Sequence, residues 1–106
     1  MADVDPASVD HIILATTTPD RILPSCACTL QQKLGAKRAA AYDMFAACTG
    51  FVFGMGLARG LIGSGVANTV VVVGVETLSR IVDYTDRNTC VLFGDGAGAA
   101  VLQSCD

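Results

Sequence analysis

The run NTVVVVGVETLS, residues 68–79, constrains the fold more than any other stretch of the chain. Its valines follow one another without polar alternation, the pattern of a strand covered on both faces within a parallel sheet. Candidate neighbours stand upstream of it. VDHIILATTT (9–18) is a short apolar, β-branched run that ends in threonines and is closed by the loop signal PDR. PSCACTLQQKLGAK then carries the marks of a helix: Pro24 and Ser25 at its start, Leu30 and Leu34 four apart, and Gly35 where a left-handed stop belongs. These signals predict a helix from about Cys26 to Leu34. RAAAYDMFA (38–46) is a second strand candidate, weakened by its alanines.

Beyond it, Thr49 to Ile62 places Phe51, Met55, Leu57, Ala58, Leu61 and Ile62 on a helical repeat. Gly50, Gly54, Gly56 and Gly60 would each cost an exposed helix up to ~1 kcal/mol relative to alanine. So many glycines predict a buried central helix with another backbone close against it, ended by GSG at 63–65. RIVDYTDRNT is polar enough to be an excursion loop, and CVLFGDGAGAAVLQ reads as a strand, a glycine-rich turn and a second strand. The sum is β-α-β-α-β followed by a C-terminal hairpin, an α/β fold with a mostly parallel sheet and right-handed crossovers.

A chain of 106 residues is the size of one domain, so residues 1–106 are expected to form a single unit whose active cleft is shallow or shared. Its 52% hydrophobic content against 16% charged residues is rich for that length, which suggests a piece of something larger or an obligate oligomer. The net charge of −3 comes with no Lys/Arg cluster able to neutralise several phosphates, so nucleic acid is not an expected partner. MADVDPASVD lacks the positive end and apolar core of a signal peptide. GFVFGMGLARGLIGSGVA carries Arg59 and six glycines and falls short of the ~20 apolar residues of a membrane span. A cytoplasmic protein with no membrane partner is the expectation.

Five cysteines, at 26, 28, 48, 90 and 105, are an odd number without the spacing of a secreted disulfide framework. CAC is not a CxxC pair, and with His11 as the sole histidine the ligand count argues against a metal site. Four of the thiols read as fillers, and Cys48 has two readings, a buried filler or a nucleophile on a sharp turn. On residue type alone it would be one more buried, inert cysteine. Its setting, however, is a strand, a tight turn and a helix, the arrangement of a nucleophile elbow. There a thiol faces the positive end and unpaired N–H groups of the following helix, which favour the reactive thiolate. The Cys48 N–H can also point at a developing oxyanion. Ala46, Ala47 and Gly50 leave room for a substrate.

GDGAG at 94–98 resembles a phosphate loop only superficially, since AAVLQ directly after it reads as a strand and not as a helix. A tight turn with Asp95 bonded to backbone is the simpler reading. Arg87 taken alone is a solvated charge, and His11 a satisfied structural histidine.

Three stretches in this order, ATTTPD…LPSCAC, YDMFAACTGF and DYTDRNTCVLFGDGAGAAVL, resemble β-ketoacyl-acyl-carrier-protein synthase III, a thiolase-fold family that starts fatty-acid synthesis. The resemblance covers nearly the whole chain. It implies a partial thiolase-like domain, the nucleophile-bearing N-terminal half of a condensing enzyme. It further implies that Cys48 takes an acyl group, usually acetyl, from acyl-coenzyme A and condenses it, with loss of carbon dioxide, with malonyl-acyl carrier protein. No metal or resident cofactor is implied. By the same resemblance Arg87 lies over the adenine end of coenzyme A, Phe93 lines the acyl pocket, and Thr17 and Leu23 sit near the site or the dimer contact. GDGAG would be the hairpin turn, and the strand before Cys48 would pair with its two-fold mate, giving a homodimer or a higher oligomer.

The chain also departs from the family. The histidine and asparagine that activate the malonyl group have no counterpart here, because His11, Asn68 and Asn88 lie outside matching motifs. The family's opening strand, expected at the centre of the sheet, is absent together with its following helix. Asn88 stands where glycine is common. Two other readings remain beside this one: a non-catalytic fragment that self-associates through open strand edges, and a related thiolase-fold enzyme of the hydroxymethylglutaryl-coenzyme A synthase type.

Overall fold

The computed structural model describes residues 3–105. Strands β1 (His11–Ala15), β2 (Ala40–Met44), β3 (Thr69–Thr77) and β4 (Asp95–Gln103) form one sheet in the order β2-β1-β3-β4. The first three are parallel and β4 runs antiparallel to β3. Helices α1 (Cys26–Leu34) and α2 (Gly50–Gly63) make the crossovers, one on each face of the sheet. The fold is therefore the expected α/β arrangement with a mostly parallel sheet.

Alternation along β1 and β3 divides the core in two. Ile12, Leu14 and Val71 pack with Ala27 and Leu30 of α1, whereas Ile13, Val70 and Val72 pack with Ala58 and Met55 of α2. Ile12, Ile13, Val70 and Val72 are fully buried, each contributing about 1.5–3 kcal/mol of hydrophobic stabilisation. Both faces of β1 and β3 are thus covered, which is why their sequences are continuously apolar.

Helix α1 matches its sequence signals at both ends. The Ser25 hydroxyl accepts the Cys28 N–H at 3.2 Å, and Gly35 ends the helix at φ 74°, its N–H donating to the Gln31 and Gln32 carbonyls. The Asp43 carboxylate at the end of β2 accepts the Cys26 and Ala27 N–H groups at 2.9 and 2.8 Å. It thereby ties the strand to the positive end of the helix.

Three expectations are corrected. The glycine-rich segment is not a turn: Asp95 to Gly98 are paired residues of β4, with Gly98 opposite Gly74 and Gly96 opposite Glu76. The antiparallel pair is made by β3 and β4, joined through residues 78–94, which carry a 3-10 turn at Leu78–Arg80 and no strand. Asp95 does bond a backbone N–H, that of Ser79 at 2.8 Å, and also accepts its hydroxyl at 2.6 Å. Secondly, β1 and β3 pair directly along five residues, so the sheet has no central gap; a further strand can add only outside β2 or β4. Thirdly, His11 is not hydrogen-bonded through Nδ1, which is buried without a partner among the described residues; the ring packs edge-on to Tyr42 with centroids 6.1 Å apart.

The glycines of α2 fall into two groups. A Cβ on Gly50 would lie 2.8 Å from the Ala15 Cβ, and one on Gly54 2.8 Å from a Val72 methyl, so here the helix sits directly on β1 and β3. Gly56, Gly60 and Gly63 meet nothing within 4 Å, and Val52, Phe53 and Leu57 are exposed. The close approach expected of all these glycines is thus made by two of them, on the sheet side.

Candidate active site

Because β1, β2 and β3 are parallel, their carboxyl ends Ala15, Met44 and Thr77 share one rim of the sheet. In open α/β sheets that rim is where ligands bind. Cys48 stands on it. The chain leaves β2 at Met44 and turns at Ala47, a non-glycine residue at φ 47°. It passes through a 3-10 turn at Ala47–Thr49 and enters α2 at Gly50.

A residue with a side chain at positive φ is strained by about 1–2 kcal/mol, and such strain persists only where surrounding structure enforces it. The enforcing contacts are visible on both sides of Cys48. The Thr49 N–H and hydroxyl both donate to the Ala46 carbonyl, at 3.2 and 2.7 Å, and the Gly50 N–H to that of Ala47. Among the described residues, no hydrogen bond takes up the Cys48 N–H. The thiol is exposed and helix α2 has no side-chain cap, so Cys48 stands in the open beside the uncapped positive end of α2.

Next to this turn, the segment after β1 is held by a cluster that the sequence alone does not single out. The Glu76 carboxylate accepts from the Thr17 N–H (2.8 Å) and hydroxyl (3.1 Å) on Oε1, and from the Thr18 (2.5 Å) and Thr16 (3.4 Å) hydroxyls on Oε2. Thr18 in turn accepts the Thr77 N–H at 2.8 Å, closing the cluster onto β3. Burial pushes the Glu76 carboxyl up, but the threonine donors outweigh it and hold the group below its ordinary value. The available signal was an acid ending an apolar run, VVVVGVE, in a chain with three consecutive threonines.

At the opposite end of the sheet, Asp10 accepts the Asn68 and Thr69 N–H groups at 2.8 and 3.0 Å. These bonds, with Arg38 3.7 Å away, hold its carboxyl below the usual value.

Of the other expected site residues, Thr17 shares the carboxyl-end rim with Cys48 through the Glu76 cluster. Leu23 is 85% exposed and borders a shallow cleft beside β2 with Ile22, Tyr42 and Phe45. Arg87 and Phe93 lie in the 78–94 connection. Arg87 is exposed and enters no ion pair among the described residues; Phe93 is 49% exposed. Their loop is shaped by Asp83, which accepts the Thr85 N–H and hydroxyl, and by Asp86, which accepts the Asn88 N–H and the Thr89 hydroxyl. The structure thus joins Thr17 to the carboxyl-end rim and leaves Leu23, Arg87 and Phe93 on exposed segments. A second cavity of about 360 Å³ opens on the α1 face, lined by residues that include Thr16, Arg21, Cys26 and Val75. No group of three His, Cys, Asp or Glu side chains suited to a metal ion occurs among the described residues, and no described helix is long and apolar enough to cross a membrane.

Comparison with known proteins is consistent with this geometry. The family described as 3-oxoacyl-[acyl-carrier-protein (ACP)] synthase III matches residues 42–106. A β-ketoacyl-[acyl-carrier-protein] synthase III of Methylococcus capsulatus is 57% identical over 103 residues, 97% of this chain and 32% of the relative. One of Thioalkalivibrio sulfidiphilus is 58% identical over 106 residues, 100% of this chain and 33% of its own length. The crystal structure of 3-oxoacyl-[acyl-carrier-protein] synthase III from Aquifex aeolicus superposes with a TM-score of 0.96 at 50% identity, covering 99% of this chain and 34% of that one. The chain therefore spans about a third of the length of the curated relatives it matches. From its strand order, its nucleophile-like turn and these likenesses together, the chain belongs to the 3-oxoacyl-[acyl-carrier-protein] synthase III family.

Proposed function

We propose that the chain is one domain, the nucleophile-bearing N-terminal half of a condensing enzyme of fatty-acid synthesis, and that Cys48 is its acyl acceptor. The observation that carries this reading is the exposed thiol at a strained strand-to-helix turn, beside an N–H that no described group uses. In the proposed step the Cys48 thiolate attacks the carbonyl carbon of acetyl-coenzyme A. The negative charge that develops on oxygen is received by the Cys48 N–H. Collapse breaks the C–S bond to coenzyme A, which leaves as its thiolate and takes a proton from solvent, and the acetyl group stays on Cys48.

Condensation comes next, when malonyl-acyl carrier protein loses carbon dioxide and the resulting enolate carbon attacks the acetyl-cysteine, expelling the Cys48 thiolate. That step calls on a histidine and an asparagine outside these 106 residues. Arg87 is assigned to the adenine end of coenzyme A, Phe93 to the acyl pocket, and Thr17 and Leu23 to the site rim or a two-fold contact. A cytoplasmic homodimer with neither metal nor resident cofactor completes the reading. The names of the relatives support the substrates, since they are synthases of β-ketoacyl or 3-oxoacyl groups on acyl carrier protein.

The test is intact mass of the chain after incubation with acetyl-coenzyme A, beside a Cys48→Ala control. A gain of one acetyl group that the control loses supports the assignment. An equal gain in the control refutes it.

A further inference from the structure

We infer that Glu76 is a positioning residue for acyl transfer: its carboxylate clamps residues 16–18 against β3 and so fixes the substrate-facing wall beside the Cys48 turn. The inference rests on the acyl-transfer reading for its consequence, but the clamp itself stands on geometry.

Successive residues of β3 alternate between the two faces of the sheet. Val71, Val73 and Val75 pack in the core on the α1 side, and Val70 and Val72 in the core on the α2 side. Gly74 continues the α2 side, since a Cβ there would touch the Phe51 ring at 3.2 Å, and Glu76 is next on that face. The close contacts also give the level along the helix: Val72 lies against Gly54 and Gly74 against Phe51. Two strand residues advance about 6.6 Å, equivalent to roughly four residues of helix. Continuing in that direction past Phe51 leads out of the start of α2 at Gly50, so Glu76 lies toward the end of the helix that the Ala47–Thr49 turn enters.

The manner in which the carboxylate is used points to holding and not to proton transfer. Each oxygen already accepts two hydrogen bonds, from three successive threonines. No face is left for a substrate proton. One link fixes the loop to the neighbouring strand end as well: the Thr16 N–H donates to the Met44 carbonyl at 3.1 Å, just ahead of the Cys48 turn. Glu76, Thr16 and Met44 therefore tie the ends of β3, β1 and β2 into one rim. An apolar side chain in place of Glu76 would strand four donors there, and the substitution Glu76→Gln would offer an amide group to hydroxyls arranged to donate.

The test compares Glu76→Gln with Thr18→Val, which breaks the bridge from Glu76 to the Thr77 N–H and leaves the carboxylate intact. The first readout is amide hydrogen exchange. In both variants Thr17 and Thr77 should exchange roughly tenfold faster or more, while Ile13 and Val72 in the sheet centre keep their protection. The second readout is modification of Cys48 by two reagents. Acetylation by acetyl-coenzyme A should slow by about tenfold or more, whereas alkylation by iodoacetamide, which needs no oriented wall, stays within about twofold. Unchanged exchange at Thr17 and Thr77 in both variants overturns the clamp. Loss of protection at Ile13 and Val72 in both variants also overturns it, because Glu76 would then be holding the whole sheet. Equal slowing of both reagents overturns the positioning role. If the unsubstituted chain takes up no acetyl group, the acyl-transfer reading falls, and the exchange pattern alone decides for or against the clamp.

Discussion

Replacing Gly50 by alanine tests how α2 delivers Cys48 to the rim. Gly50 has ordinary helical dihedrals, φ −56° and ψ −46°, so alanine meets no backbone objection. The obstacle is space: the new Cβ would lie 2.8 Å from the Cβ of Ala15, an atom that cannot rotate aside. Restoring a carbon–carbon contact of about 3.5–4.0 Å requires the start of α2 to withdraw from β1 by roughly 1 Å. Overpacking of this kind costs about 1–3 kcal/mol. The better helix propensity of alanine returns at most ~1 kcal/mol, less at the first position of a helix.

Gly50→Ala is therefore expected to lose about 1–2 kcal/mol in urea unfolding followed by circular dichroism, with an unchanged m value. Gly60→Ala makes the same chemical change in the same helix with nothing within 4 Å, and should gain about 0.5–1 kcal/mol. The withdrawn turn should also slow acetylation of Cys48 by about ten- to a hundredfold, the usual effect of a misplacement near 1 Å. Equal stabilisation of the two variants would refute the argument, since it would mean that α2 does not rest on β1 at Gly50.

Further expectations concern the caps, the turn and acid. Ser25→Ala removes the acceptor of the Cys28 N–H and should lower stability by about 1 kcal/mol in the same urea assay. Ala47→Gly relieves a side chain at φ 47° and should raise stability by up to about 1 kcal/mol; a loss would show that the turn is unstrained. Asp10 and Glu76 are both held below their ordinary values of 3.8 and 4.5, so the unfolded chain binds protons before the folded one does. Their contribution is present above those ordinary values and is lost as pH falls through the lower folded ones. The urea midpoint should thus fall on acidification below about pH 5, and Glu76→Gln should flatten part of that limb. An acid limb identical in the variant would remove Glu76 from the account.

Much of the fold was legible because its signals are local. Ser25 and Gly35 bracket α1 through their own backbone geometry, and the helix has the bounds those two residues announce. The valines of β3 reported burial on both faces, and the polar RIVDYTDRNT run is indeed excursion, threaded with Asx turns at Asp83 and Asp86. The features that stayed hidden depend on partners far along the chain. GDGAG has the composition of a turn, yet β3 supplies a full ladder of hydrogen bonds opposite Asp95 to Gly98, and that pairing overrides the local preference. The glycines of α2 looked alike in sequence, but only Gly50 and Gly54 fall where the helix faces the sheet. In the candidate site, the strand–turn–helix setting of Cys48 was legible from the sequence around it. Glu76 was not, because its partners lie some sixty residues upstream. Nor does any sequence pattern show that Asp10 and Asp43 are spent on backbone N–H groups.

The central claim is that one thiol among five has been placed for acyl transfer. Cys48 and Cys105 are both exposed, so exposure alone would acylate them alike. The decisive measurement is peptide mapping by mass spectrometry after brief treatment of the folded chain with acetyl-coenzyme A, quantifying the acetyl group on each cysteine. The account predicts label on Cys48 and none above background on Cys105, with the preference lost in urea. Equal labelling of Cys48 and Cys105 in the folded chain would contradict it.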